Sequence, residues 1–513
     1  MSAPQRRAGV LLHPTSLPGA SGCGGFGQAA HGWLALLGRH GIGVWQLLPL
    51  APTDGTGSPY SSPSGSALNP WLLDAEQLVQ EGYLAAAAAA ALPAGAGHRL
   101  DPAVQQRRSQ ALGEALRLAW SAQAPDRRQA FRRWCRREDY WLRDHCRFMV
   151  LRRLHDGQPW WQWPAALARR ERRALARFDR QQAPLLLEEQ LLQWQLQGQW
   201  QTLRRQAHAL GVQLFGDLPF YVAHDSADVW SHPGLFSLAG AGADLEAQSG
   251  VPPDYFSATG QLWGTPVYRW SRHWLSGFAW WLGRLSRQLQ LFDLLRLDHF
   301  RALAAYWRVP GGDPTAEHGS WQPSPGGPLL TLHWLHQACR GRLRGGRLPL
   351  VAEDLGVITP AVEALRDRFA LPGMKILQFA FDGNADNPYL PANIQGSRWV
   401  IYTGTHDNAT AVGWWQGLDQ ASRQRLEQAL HAPVHAPGWQ LLELALASPA
   451  ELAVVPLQDL LELGDEARFN TPGTLGANWN WRLTGPVTDL DGPLLGYGEL
   501  ARRHRRMPCP ADA

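Results

Sequence analysis

Short, almost uniformly apolar runs recur along this chain, each of strand length. The first four are Gly9 to His13, Gly43 to Leu48, Val212 to Asp217 and Phe292 to Asp298; Leu348 to Glu353, Met374 to Phe379, Trp399 to Thr403 and Leu452 to Pro456 follow. Helical periodicity fills several of the intervals between them. Eight buried strands with intervening helices predict an α/β fold, a (β/α)8 TIM barrel, over a single unit spanning 1–513. The intervals are uneven, so the barrel carries large insertions. Residues 70–205, between the second and third runs, read as a mainly helical insertion, and residues 225–290 as another between the third and fourth. In the first, Trp134, Trp141 and Phe148 share a helix face at seven-residue spacing and are assigned to core.

Composition narrows the chemistry. The only lysine among 513 residues is Lys375, which excludes a Walker loop and a serine β-lactamase motif and leaves Schiff-base chemistry a single candidate. Five cysteines (Cys23, Cys135, Cys146, Cys339, Cys509) are scattered without a Cys-x-x-Cys pair, against a disulfide framework or a structural zinc site and in favour of the cytoplasm. No run approaches the roughly 18 apolar residues of a membrane helix. A formal charge of +4 spread over this length gives no reason to expect nucleic acid or a membrane as partner. The arginine-rich stretch Arg169 to Arg180 reads as a solvated helix face, and Arg502-Arg503-His504-Arg505-Arg506 as a charged tail.

Gly22-Cys-Gly-Gly-Phe-Gly27 has dinucleotide-loop spacing, yet it starts well after the first strand, and no acidic residue precedes Asp54. These glycines therefore read as a loop at the barrel mouth. Carboxylates remain. Asp217, Asp298 and Glu353 end three predicted strands, and Asp407 follows the seventh within Thr403-Gly-Thr-His-Asp-Asn408. Strand C-termini converge on one face of such a barrel, where active sites are built. Arg296 and Asp298, two apart on one strand, face the same side, and the guanidinium is expected to hold Asp298 ionised. Retaining glycoside chemistry needs a carboxylate nucleophile and a protonated carboxylic acid about 5 Å away, which adjacent strands four and five can supply. Tyr60, Tyr255, Phe256, Trp263, Trp414 and Trp415 are candidates to offer flat faces to sugar rings.

Several longer blocks carry a resemblance. Leu12-His-Pro-Thr-Ser-Leu-Pro-Gly19, Trp45-Gln-Leu-Leu-Pro-Leu50, Ser58-Pro-Tyr60, the run from Gly216 to Trp230, Val251-Pro-Pro-Asp-Tyr-Phe-Ser257 and Gly404-Thr-His-Asp-Asn408 resemble those of the amylomaltase family, the 4-α-glucanotransferases of glycoside hydrolase family 77. The likeness runs from about Gly9 to Arg482. It implies a barrel of the α-amylase type, with Asp298 as nucleophile, Glu353 as acid/base and Asp407 as transition-state stabiliser. It also implies that Arg296, His299 and His406 contact the sugar at the scissile bond and that residues 251–257, with Asp254 and Tyr255, form a loop over the acceptor side. Ser58, Tyr60, Asp217, Trp263 and Asn470 match positions that line the glucan groove. Gln28, Thr265, Ala392 and Ala409 depart from the family pattern and put local loop contacts in question.

The resemblance implies transfer of α-1,4-glucan segments from maltodextrin, starch or glycogen-derived donors to glucose or glucan acceptors, without cofactor or metal. Three other readings stay open: an α-amylase-type hydrolase using the same carboxylates, a Schiff-base aldolase built on Lys375, and a glucan-binding protein with a decayed site.

Overall fold

The computed structural model describes residues 6–507 apart from 20, 96, 254–256 and 475. All eight apolar runs form parallel strands: β1 (Arg7–Leu11), β2 (Val44–Gln46), β3 (Gln213–Leu218), β4 (Leu294–Leu297), β5 (Leu350–Ala352), β6 (Gly373–Ile376), β7 (Trp399–Tyr402) and β8 (Leu452–Pro456). Their order, β5-β4-β3-β2-β1-β8-β7-β6, is the cyclic order of a (β/α)8 barrel. At the seam between β5 and β6 the Ala352 N–H donates to the Pro372 carbonyl at 2.8 Å. Asp354 strengthens it, its carboxylate accepting from the Met374 N–H at 2.7 Å and from Arg366 at 2.6 Å.

Strand side chains alternate between two faces, and here both are buried. Leu11, Val44, Phe215, Val351, Met374, Ile376, Val400, Tyr402 and Val454 fill the barrel interior as one core, whereas Val10, Trp45, Leu214, Leu295, Ile401 and Val455 pack outward under the helices. Gly216 belongs to the outward set; a Cβ there would come within 2.2 Å of the Phe292 ring, so only glycine lets that chain approach. Lys375 lies between the inward Met374 and Ile376 and therefore points outward, its Nζ 4.2 Å from the Trp399 ring centroid. That removes the basis for a Schiff-base site inside the barrel.

Three long helices, α1 (Pro102–Trp120), α2 (Pro125–Leu154) and α3 (Ala183–Ala209), dominate the chain between β2 and β3. Asp101 caps α1, accepting from the Ala103 and Val104 N–H groups, with Pro102 in the first turn where no N–H is needed. Trp134, Trp141 and Phe148 are buried, as the spacing predicts. Buried Glu188 of α3 receives Arg117 of α1 at 2.8 Å and Arg153 of α2 at 3.0 Å, tying the three helices at one carboxylate.

A four-stranded antiparallel sheet, ordered Ser320–Pro323, Ala305–Pro310, Ala247–Val251 and Gln261–Pro266, joins the excursion after β3 to the one after β4. Its strands come from two separate excursions, so no local pattern announces it. Arg169, Arg172, Arg173, Arg177 and Arg180 of the first basic run are exposed as expected, and so are Arg502, Arg503 and Arg505 of the second; two arginines differ. Arg170 lies 4.2 Å over the Trp230 ring and pairs with Asp144. Arg506, read as part of a charged tail, is fully buried and donates to the carbonyls of Ala445, Leu446 and Ser448. Those carbonyls end the helix Pro437–Ala447, where a cation satisfies acceptors that the helix cannot.

Candidate active site

The alternation that builds the interior core also aims the site. Phe215 faces inward, so Asp217 does too; Val351 fixes the same sense for Glu353, and Arg296 and Asp298 share it on β4. These four positions sit at the C-terminal ends of β3, β4 and β5. Arg296, 5% exposed, is the hinge of the group: it reaches Asp217 at 2.6 Å and Asp298 at 2.8 Å. The Tyr60 hydroxyl donates to the same Asp217 oxygen at 2.7 Å, and burial, reinforced by the Asp217 charge, keeps that phenol protonated.

Asp298 keeps 29% of its side chain open to the cleft. Burial pushes its carboxyl up to about 6; Arg296 opposes this, and Asp217 and Asp407 add to it. The guanidinium is divided between two carboxylates, so Asp298 is ionised at neutral pH but less firmly than an exclusive pair would make it. Glu353 rises further, to about 7, through burial and the nearby Asp298 charge, with Arg296 opposing. Its Oε2 accepts the His299 backbone N–H at 2.7 Å. His299 has φ 53°, an uncommon left-handed conformation for a residue other than glycine, and that turn directs its N–H at Glu353. The result is a pair of neighbouring carboxyls, both raised by burial, with the guanidinium placed on Asp298.

The segment after β7 supplies the third acid. The Asp407 Oδ1 accepts from Asn470 Nδ2 at 2.7 Å, and Oδ2 lies 3.3 Å from His406 Nε2. Burial would raise this carboxyl, but His406 and Asn470 together hold it well below the usual range. The Arg468 guanidinium donates to the Asp407 carbonyl at 2.7 Å. Two acids anchor the segment behind it: buried Asp459 accepts from Thr403 and from the Ala411 N–H, and exposed Asp465 accepts from the Thr410 N–H.

The His406 ring stacks on Tyr60 at 5.1 Å, with Trp479 6.0 Å from His406. Trp263, 37% exposed on its small-sheet strand, stands edge-on to His299 at 4.8 Å. Ser58 turns the chain into Tyr60, its Oγ accepting the Tyr60 N–H at 3.3 Å. Among the described residues, Asp217 Oδ1, His299 Nε2 and His13 Nδ1 are buried without a hydrogen-bond partner in the protein. Burial holds both His299 and His13 neutral, near 3. Polar atoms buried in this way are expensive unless something else satisfies them, and a polyhydroxyl ligand carries suitable donors and acceptors.

The structure thus gathers Asp217, Arg296, Asp298, His299, Glu353, Tyr60, Ser58, Trp263, His406, Asp407 and Asn470 at one barrel mouth. Asp254 and Tyr255, with Phe256, lie outside the described residues. Trp414 and Trp415 pack on the core instead, Trp415 beneath Arg423. The sequence reading missed His13, Trp479 and Tyr221, whose ring lies 6.0 Å from Trp263 and 6.3 Å from His299. His13 closes the first apolar run with the inward sense of Leu11, a signal strand parity contained. Trp479 arrives from a loop far along the chain and had none. The glycine loop proves structural: a Cβ on Gly24 would meet the Pro14 carbonyl oxygen at 2.2 Å. Of the four family departures, Thr265 bonds Ser249 and the Ala409 carbonyl accepts from Gln378.

Comparison with known proteins gives a consistent result. A family profile described as 4-alpha-glucanotransferase matches residues 12–488. The 4-alpha-glucanotransferase of Synechocystis is 44% identical over 93% of this chain and 94% of its own length. That of Thermus thermophilus is also 44% identical, over 93% and 95%. The amylomaltase of Streptococcus agalactiae, solved in complex with acarbose, superposes with a TM-score of 0.92 at 31% identity, covering 98% of this chain and 100% of that one.

Proposed function

This chain belongs to the 4-α-glucanotransferase family, glycoside hydrolase family 77, and acts in glucan transfer; we propose that it works through a covalent glucosyl-enzyme on Asp298, with Glu353 as the acid/base. The observation that carries the proposal is geometric: two inward carboxyls end adjacent strands, and among the described residues Asp298 is paired with Arg296 at 2.8 Å while Glu353 has no ion-pair partner and accepts the His299 N–H. In the first step Asp298 attacks the anomeric carbon of an α-1,4-glucan while the Glu353 proton passes to the departing glycosidic oxygen, leaving a glucosyl ester and a shortened chain. In the second, ionised Glu353 takes the proton of an acceptor 4-hydroxyl as that oxygen displaces Asp298, and a new α-1,4 bond forms with retention.

Asp407 remains ionised throughout, which suits it to accept hydrogen bonds from sugar hydroxyls that strengthen as the ring gains positive charge. Arg296 and Tyr60 keep Asp217 oriented, and the His299 and His406 rings are assigned to the sugar at the scissile bond. Ser58, Asn470 and Trp263 are assigned to the groove, with Trp263 and residues 251–257, including Asp254 and Tyr255, on the acceptor side. Water exclusion there favours sugar over water as acceptor. We take the donors to be maltodextrins of starch or glycogen origin and the acceptors glucose or glucan. A cytoplasmic setting is supported by Cys23, Cys135, Cys146 and Cys339, free among the described residues. None of the described helices is long and apolar enough to cross a membrane.

Incubation with maltotriose tests the reaction. Glucose together with dextrins longer than the substrate is expected; short sugars accumulating without elongation would point to hydrolysis.

A further inference from the structure

The chain that follows β8 contains none of the three carboxylates, yet it supports one of them. A single turn of helix, Leu457–Leu460, leads to a tight turn at Asp465–Ala467, and the Gln458 side chain ties the two by donating to the Ala467 carbonyl at 3.2 Å. Arg468 then emerges extended, at φ −59° and ψ 139°. Phe469 turns into the core, 5.7 Å from the Trp481 ring, while Arg468 and Asn470 on either side of it both reach Asp407.

Arg468 gives its charge to carbonyls. Among the described residues it forms no ion pair; its Nε donates to the Asn470 carbonyl and its Nη2 to the Asp407 carbonyl, both at 2.7 Å. These nitrogens form one edge of the planar guanidinium, whose donors keep a fixed spacing. The Asn470 Nδ2 donates to Asp407 Oδ1, also at 2.7 Å, so the three bonds close a ring through Arg468, Asp407 and Asn470. Nothing local supplies this arrangement. Asp407 and Arg468 are 61 residues apart in sequence, and neither Asp407 nor Asn470 lies in a helix or strand whose own hydrogen bonds would fix it.

We propose that Arg468 is a positioning residue for the reaction: by clamping the Asp407 and Asn470 carbonyls it sets the side-chain bond that aims the Asp407 carboxylate at the sugar ring. This rests on the reading of Asp407 as the stabiliser of the charged ring. It adds that the aim is set from the β8 side, by a guanidinium already committed to protein carbonyls.

A double-mutant cycle provides the test. The quantity measured is kcat/KM for maltotriose transfer in the parent, Arg468→Lys, Asn470→Ala and the double variant, with urea unfolding at pH 7 to establish that each is folded. Arg468→Lys keeps the charge and loses the planar edge. It should lower kcat/KM about tenfold or more in the parent but less than about threefold beside Asn470→Ala, where the bond it sets is already gone, since groups in one network couple on that scale. Arg468→Gln, whose shorter amide cannot span both carbonyls, takes its place in the cycle if the lysine variant does not fold, with the same expectation. Rescue separates geometry from charge: in Arg468→Ala, millimolar guanidinium should restore transfer several-fold and methylammonium should not. An equal loss in both backgrounds, parent-level transfer by Arg468→Lys, or equal rescue by the two cations would overturn the proposal. Asp407→Asn keeps the possible failures apart. Parent-level transfer in that variant would refute the stabiliser reading itself, whereas its inactivity alongside an unimpaired Arg468→Lys would refute the clamp alone.

Discussion

Moving the pH across the range in which Asp298 and Glu353 titrate tests their division of labour. The competent free enzyme has Asp298 ionised and Glu353 protonated. With the pair titrating at about 6 and about 7, that form reaches about 60% of the population near pH 6.5 and falls to about 10% at pH 5 and at pH 8. The sign follows from the roles: below about 6 Asp298 gains a proton and stops being a nucleophile, and above about 7 Glu353 loses the proton it must donate. An ordinary glutamic acid would be protonated at pH 7 in only about one molecule in 500, so raising the Glu353 carboxyl increases the supply of ready acid. The assay is kcat/KM for glucose release from maltotriose, from about pH 4.5 to 9 at constant ionic strength, since this ratio reports the free enzyme. Glu353→Gln should lose about 10²–10⁴ in rate and with it the alkaline limb. An optimum near 4.5, or activity that stays flat beyond pH 8, would refute the assignment.

Other perturbations have equally definite outcomes. Asn470→Ala removes the charge-assisted hydrogen bond to Asp407; at about 1.5–3 kcal/mol it should lower kcat/KM about 10- to 150-fold, measured by steady-state transfer kinetics. Asp293, 3% exposed, accepts from Arg204, His208 and the Leu214 N–H. Burial opposes its charge, but these partners win and depress its carboxyl, so it stabilises the fold above the ordinary carboxylate range and ceases to as pH falls below it. Asp293→Ala should cost about 3–5 kcal/mol in urea unfolding at pH 7, with a smaller difference from the parent near pH 3. Gly216→Ala should cost at least about 1–3 kcal/mol by overpacking against Phe292, read as a lower urea midpoint; an unchanged midpoint would mean that the ring yields freely.

Sequence alone determined the eight strands and which of their side chains share a face, because a strand buried on both faces must be apolar along its length and its periodicity of two is a local property. Asp217, Asp298 and Glu353 were legible as acids at strand C-termini, and Arg296 by sharing a side with Asp298; that Phe215 and Val351, and with them these groups, face the barrel interior came from the structure. Asp407 was legible as the acid just after the seventh run, and the likeness of long motifs extended this to His406 and Asn470, which lie on loops where periodicity says nothing. Tertiary structure alone decided how charge is apportioned among them. Arg296 is shared by Asp217 and Asp298, and the His299 N–H reaches Glu353 only through a left-handed turn, so the final pKa order depends on distances between elements far apart in the chain. The same holds for Arg506, a tail residue by composition, which the fold buries against helix-terminal carbonyls. Solvation and Coulomb energies are set by what converges in space, and a linear pattern of residue types contains only the part of that convergence which secondary structure dictates.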